Sequence, residues 1–163
     1  MNQRPSGHWD RTRAEELHEL AQDLAATWNI ATEPNEVASW MSRPSILRRV
    51  AGSMAEWIAP DVDRILAEGH GSIALGSALA LATGLPYCAL EGGVRFGPLH
   101  DGESVVIVSA VAGGNALERP AAVLVVDRLS VVDVDPGQGR VGVRSLFALD
   151  TDGSIVISER KAS

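Results

Sequence analysis

Cross-linking is the first thing this chain lacks. Its 163 residues include one cysteine, Cys88, so no internal disulfide can form. A domain of this length buries roughly two thirds of the surface that its unfolded chain exposes, and it folds without a disulfide or a metal. A lone thiol fits a reducing cytoplasm. Positive charge is also short: 14 Lys and Arg stand against 21 Asp and Glu, a net charge of −7. Such a surface repels phosphate backbones and anionic lipid, so neither a nucleic-acid nor a membrane partner is expected. No apolar stretch follows the basic residues of MNQRPSGHWDRTR, which excludes a signal peptide. The longest apolar run, residues 73–82, is broken by Gly76 and Ser77 and is too short to span a bilayer. No His/Cys/Asp spacing suggests zinc, and no GxGxxG or P-loop pattern is present. Aromatics are scarce at 4%, while hydrophobic residues reach 45%. Small aliphatic residues and glycine dominate, as in a buried parallel sheet covered by helices.

The arrangement of what remains is that of such a sheet. Residues 1–10 are polar, carry Pro5 and Gly7, and read as a mobile tail on a single domain spanning 1–163. Thr12 and Glu15 form a capping-box pattern ahead of a helix on which Leu17, Ala21, Leu24 and Trp28 recur at helical spacing. A second helix is expected over residues 45–59, stopped by Pro60. From Val62 the pattern changes. A short apolar run, residues 63–68, ends in Gly69-His70-Gly71-Ser72. A helix of small residues follows, closed by Gly84, and a second apolar run begins at Tyr87. Strand, turn, helix and strand in that order make a βαβ unit. A glycine-rich excursion, residues 91–103, precedes SVVIV, residues 104–108, which reads as a buried central strand. Residues 122–127 (AVLVVD) read as another. In LSVVDVDPGQGR the turn Asp135-Pro136-Gly137 suggests a β-hairpin.

The turn at Gly69, His70, Gly71 and Ser72 has its own chemistry. Glycines between a strand's end and a helix start let backbone N–H groups converge, and the helix N-terminus adds partial positive charge. That describes an anion site, with His70 able to cover or contact the anion. An ordinary glycine-containing βα turn with a solvated histidine has the same pattern. Arg95 could clamp a phosphate or lie exposed in its loop. Trp9, Trp28, Trp40 and Trp57 could stack over a ligand or pack the core. Cys88 lies in a buried run with no activating base nearby in sequence, so it reads as a packed thiol. Glu68 reads as a solvated or locally paired carboxylate.

Three segments in order resemble the type I phosphoribosyltransferases, and within them the orotate branch. ILAEGHGSIALGSALALATGLPY, residues 65–87, resembles the family's first strand, pyrophosphate loop and helix. GESVVIVSAVAGGNAL, residues 102–117, resembles the strand that runs into the phosphoribosyl-diphosphate loop. AVLVVDR, residues 122–128, and GVRSLFALDTDG, residues 142–153, resemble the late strands. The resemblance implies a mostly parallel α/β sheet with flanking helices and a β-rich C-terminal segment. The N-terminal helices would serve as hood or dimer contact. It also implies a phosphoribosyl diphosphate or nucleotide ligand at Gly69, His70, Gly71, Ser72, Arg95, Ser109, Ala110, Gly113, Gly114 and Asn115, and a homodimer.

The same alignment exposes departures. The family's strand ends in two adjacent acids that hold the ribose hydroxyls; here those positions read Ser109 and Ala110. The following loop offers Gly113, Gly114 and Asn115. With no gap the two glycines replace hydroxyl residues; with a two-residue deletion they are the family's own pair. The loop before the buried strand carries Arg95 and His100 but no lysine. The crossover after the phosphate loop is reduced to about residues 116–121, so its helix is cut to a turn or the next strand sits elsewhere. The resemblance thus implies a phosphoribosyltransferase-like protein with impaired catalysis, binding a phosphoribosyl or nucleotide-type anion in a regulatory or accessory role. An active orotate-type enzyme would need magnesium and acids from elsewhere, with Asp127, Asp133 and Asp135 as candidates. An interaction module with a filled site is the third reading.

Overall fold

The computed structural model describes residues 7–30, 33, 39–112, 122–138 and 142–158. Among them, helix α1 (Gly7–Thr27) and helix α2 (Pro44–Ala55) precede strand β1 (Arg64–Glu68), helix α3 (Ser72–Thr83) and strand β2 (Tyr87–Glu91). Strands β3 (Val94–Phe96), β4 (Ser104–Ala112), β5 (Leu124–Asp133), β6 (Arg144–Leu149) and β7 (Ile155–Ile157) follow. They form one seven-stranded sheet in the order β3-β2-β1-β4-β5-β6-β7. The pairs from β2 to β6 are parallel, and β3 and β7 close the two edges antiparallel.

The α/β expectation holds, with several differences in detail. Helix α1 starts at Gly7, ahead of the capping pattern at Thr12; of the expected tail, residues 7–10 are helical and residues 1–6 lie outside those described. Helix α2 ends at Ala55, short of Pro60. The glycine-rich excursion contains an edge strand, β3. The hairpin expected after Arg128 does not form. Strand β5 runs on to Asp133 because Leu129, Val131 and Val132 continue its buried apolar run, and β6 lies beside it parallel, joined through a short 3-10 turn at Pro136–Gln138. Strand β5 also lies parallel beside β4, the placement the resemblance implies. The crossover residues 113–121 between them are outside those described.

The described helices pack on one sheet face. Ile65 and Ala67 of β1, Ala89 of β2 and Val106 and Val108 of β4 point there, into the same core as Leu24, Val50, Met54 and Leu79. Alternation sends Leu66, Cys88 and Ile107 to the other face, where Leu90, Leu99 and Val125 join them in a smaller cluster. A clasp holds the residue 97–103 loop over that cluster. The Arg64 guanidinium donates to both Glu103 oxygens, Nε to Oε2 at 2.9 Å and Nη2 to Oε1 at 2.8 Å. The His100 amide donates to the same carboxylate at 2.9 Å. Trp40 and Trp28 are core residues, ring centroids 5.9 Å apart, and Trp57 lies under the Arg144 guanidinium. These three are therefore taken up by packing rather than free to stack on a ligand. Cys88 is buried as expected, and burial pushes its thiol pKa up.

Helix α3 sits close on the sheet because position 76 has no side chain. A Cβ there would meet Tyr87 Cδ2 at 2.7 Å and Ala67 Cβ at 3.0 Å. The Tyr87 ring cannot swing freely, since its hydroxyl is 2.8 Å from Ser77 Oγ. Gly76→Ala gains about 1 kcal/mol of helix propensity but overpacks the contact by about 1–3 kcal/mol, so a net loss is expected in urea denaturation.

The clasp sets a pH dependence. Hydrogen bonds from Arg64 and from the His100 amide hold the Glu103 carboxyl at about 2, below its ordinary 4.5. A depressed native pKa contributes stability that is present above the unfolded value and lost as pH falls through the folded one. The stability difference between wild type and Glu103→Gln is expected to shrink from pH 4.5 to about 2 in urea midpoints.

Candidate ligand site at the carboxyl end of the inner strands

Strand β4 is an inner strand, paired with β1 on one side and β5 on the other. Its register sets Ser109 beside Glu68, the last residue of β1. The Gly69–Ser72 turn therefore leaves the sheet next to Ser109. The two segments expected to cooperate are neighbours.

The turn has the shape of an anion nest. Gly69 and Gly71 take positive φ, +85° and +73°, and Ser72 opens α3. The nest already has an occupant. The Glu91 carboxylate, at the end of β2, accepts from the Gly71 N–H at 2.7 Å and from the Ile73 N–H at 3.4 Å. Two of the helix's unpaired amides and its partial positive charge are thereby satisfied within the chain. The buried Ser72 hydroxyl is committed to the Leu90 carbonyl at 3.1 Å. His70 is exposed. Met41 covers the turn so closely that a Cβ on Gly71 would lie 2.1 Å from its Sδ.

The other expected residues divide between the faces. Arg95 is exposed on β3 opposite Leu90, while Glu91 pairs with Val94. Alternation then puts Arg95 on the Cys88 side and Glu91 on the α3 side. The effect of Arg95 on the Cys88 thiol agrees with that placement. The structure does not bring Arg95 to the Gly69–Ser72 turn. Ser109 and Ala110 also part. Ala110 is 7% exposed in the core under the helices, and Ser109 lies half-buried on the opposite face. Of the two, only Ser109 faces away from the helices. Gly113, Gly114 and Asn115 lie outside the described residues.

Sequence reasoning missed three features of this region. Glu91 as the nest's occupant is one; its place at a strand end just before Gly92-Gly93 was the available signal. The second is the row that the registers make on the face away from the helices: Glu68, Ser109, Ser130 and Ser145, one on each of β1, β4, β5 and β6. Ser130 and Ser145 are buried, their hydroxyls 2.5 Å apart. The third is Arg128, two residues before Ser130 on that face. Burial pushes the Glu68 carboxyl above its ordinary range, and the Arg128 charge pulls it back.

Acids for a metal are few here. Asp127 is drawn to Arg144 at 3.7 Å; Asp133 ends β5 beside Ala112 of β4 and accepts from the Asp135 amide at 3.0 Å. Among the described residues no group of three His, Cys, Asp or Glu side chains could hold a metal ion.

A mostly parallel sheet with flanking helices and a glycine turn beside an inner strand matches the fold of the type I phosphoribosyltransferases. Solved structures bear this out as a likeness of fold. A phosphoribosyltransferase from Corynebacterium diphtheriae superposes with a TM-score of 0.64 at 16% identity, over 83% of this chain and 97% of that one. The Mycobacterium tuberculosis orotate phosphoribosyltransferase in complex with 5-phospho-α-D-ribosyl 1-diphosphate gives 0.62 at 18%, over 83% and 90%. Leishmania donovani UMP synthase gives 0.60 at 20%, covering 80% of this chain but only 36% of its own. No protein-family model and no curated protein matches the sequence. None of the described helices is long and apolar enough to cross a membrane.

Burial of Glu68 generates a test. A raised native pKa means the folded state binds the proton more tightly. Its stability contribution is then full below the unfolded pKa and lost as pH rises through the folded one. Glu68→Gln is expected to raise the thermal midpoint at pH 7, with the gain vanishing as pH falls below the carboxyl's titration. A variant less stable than wild type at pH 7 would show the carboxylate to be satisfied in the fold.

Proposed function

We propose that this chain is a catalytically impaired phosphoribosyltransferase-like protein that binds a phosphorylated ribose or nucleoside monophosphate in a regulatory or accessory role. The observation that carries this reading is the Glu91 carboxylate bonded to the Gly71 and Ile73 amides. A diphosphate entering the turn must displace a like charge that is already hydrogen-bonded there. A charge-assisted hydrogen bond contributes about 1.5–3 kcal/mol, so the net loss of one on displacement weakens diphosphate binding by roughly 10- to 100-fold. Ser109 and Ala110 supply no carboxylate to steady a developing sugar cation. A monophosphate ligand asks less: its phosphate would lie at the loop after β4, Gly113, Gly114 and Asn115, with the sugar over Ser109. Two structures of the same fold carry phosphoribosyl ligands, one of them a monophosphate. One is the 5-phospho-α-D-ribosyl 1-diphosphate complex above. The other is a Trypanosoma brucei adenine phosphoribosyltransferase with AMP, pyrophosphate and ribose-5-phosphate, TM-score 0.54 at 13% identity. A homodimer in a reducing cytoplasm, on the nucleotide side of metabolism, completes the proposal.

The filled turn equally favours a second reading, an interaction module with no small ligand. Calorimetric titration separates the two. Wild type is expected to bind ribose 5-phosphate or a nucleoside monophosphate and to bind pyrophosphate weakly, while Glu91→Gln gains about tenfold in pyrophosphate affinity, equal to about 1.4 kcal/mol. Silence with every ligand leaves only the module. Orotate consumption with magnesium and phosphoribosyl diphosphate, at a rate within a few orders of magnitude of an ordinary enzyme, overturns the impaired reading.

A further inference from the structure

We infer that the outer face of α2 and α3 is a two-fold contact between copies of this chain, Leu81 of each copy seated in the groove between α2 and α3 of the other. The inference rests on the homodimer of the proposed function and gives it a surface. Leu81, near the end of α3, points outward and is 89% exposed, more than any other large hydrophobic residue described. Beside it runs an apolar groove of about 570 Å3, walled by Leu47 and Ala51 of α2 and by Ala74 and Ala78 of α3. That is room for a leucine side chain, and the alanines let a second helix come close. Among the described residues that line it, Arg48 alone carries charge. In a chain of net charge −7, a face without carboxylates lets two copies meet with no acid set against acid.

Charge complementarity fixes the direction of the pairing. The two helices run side by side in the same sense: Met41, just ahead of α2, covers Gly71 at the start of α3, and Ala55 lies with Ala82 and Thr83 at the other end. Arg48, in the first half of α2, therefore stands beside the first half of α3. A two-fold copy lays its α3 antiparallel on this face, which carries the carboxyl end of that helix to Arg48. The carboxyl end of α3 holds partial negative charge and has no basic residue in its last turn. The guanidinium of each copy thus completes the helix end of the other. A helix of another protein would fill the groove and leave Leu81 bare. One face that holds both the protruding side chain and the recess for it is self-complementary, as a two-fold interface requires. Each helix has 12 residues, about 18 Å of length, so the contact is at the small end of specific interfaces and the dimer is reversible.

Sedimentation equilibrium of the full chain, over a range of protein and salt concentrations, tests this. Wild type is expected to dimerise reversibly, and more weakly as salt rises. Leu81→Gln, which keeps helix propensity, weakens the dimer by roughly 100-fold, about tenfold for each leucine withdrawn from its groove. Arg48→Met weakens it roughly fivefold and removes most of the salt dependence. Leu81→Met, apolar and of similar size, still dimerises. Because Leu81 is exposed in the single chain, Leu81→Gln at dilution keeps the thermal midpoint of equally dilute wild type, which separates a lost contact from a lost fold. A dimer that persists in Leu81→Gln sinks this inference and spares the homodimer of the proposed function. A wild type that stays monomeric at every concentration sinks both, and leaves the face to a different partner or to none.

Discussion

Strand β1 is gripped on three sides, and the rest of the molecule is arranged around it. It pairs in parallel with β2 and β4, and α3 lies on it at the distance that Gly76 allows. Parallel strands need a crossover to one side, and α3 is that crossover for β1 and β2. Once α3 lies on this face, its N-terminus must emerge where β1 ends, because the turn between them is only a few residues long. The register with β4 then decides what the helix N-terminus meets. A one-residue slip would turn Ser109 into the helical core and Ala110 outward, exchanging the chemistry of the two faces.

The electrostatics of that helix start are a closed account within the chain. Buried amides without acceptors are costly, so a nest of this shape needs an anion, a carbonyl or water. Glu91 supplies the anion and Gly69 a carbonyl, the latter accepting from the Ser72 amide at 3.2 Å. On the opposite face the balance is reversed. Glu68 and Arg128 are left apart, with burial working against the charged carboxylate.

Much of the fold was legible because hydrophobic runs and glycine punctuation report backbone geometry directly. Gly69-His70-Gly71 and Gly84 bracket α3, and the apolar runs at 65–67 and 105–108 gave two inner strands. The hairpin after Arg128 was misread because Asp135-Pro136-Gly137 is a turn signal without a direction. Whether the chain comes back antiparallel or crosses to lie parallel depends on which neighbour buries Val131 and Val132, and that is a tertiary matter. The site was half legible for a related reason. Sequence locates a glycine turn, but it does not tell which side chain reaches it. Glu91, 20 positions from Gly71, arrives through strand pairing alone. Likewise Ser109 and Ala110 look like one pair in the sequence, and the pleat sends them to opposite faces.

That division bears on how the acid pair's absence should be understood. A carboxylate at 110 would enter the core among the helices, where burying an unpaired charge is very unfavourable. Alanine there is a packing choice. Position 109 is different: it faces the half-buried shelf, and serine keeps it polar at little cost. Glu68, one strand over and in register, already provides a carboxylate on that shelf. A second acid at 109 would stand about 5 Å from it, and like charges that close raise each other's pKa further unless a cation lies between them. Among the described residues no cluster of acids offers such a cation a seat, and one carboxylate beside one hydroxyl avoids that repulsion.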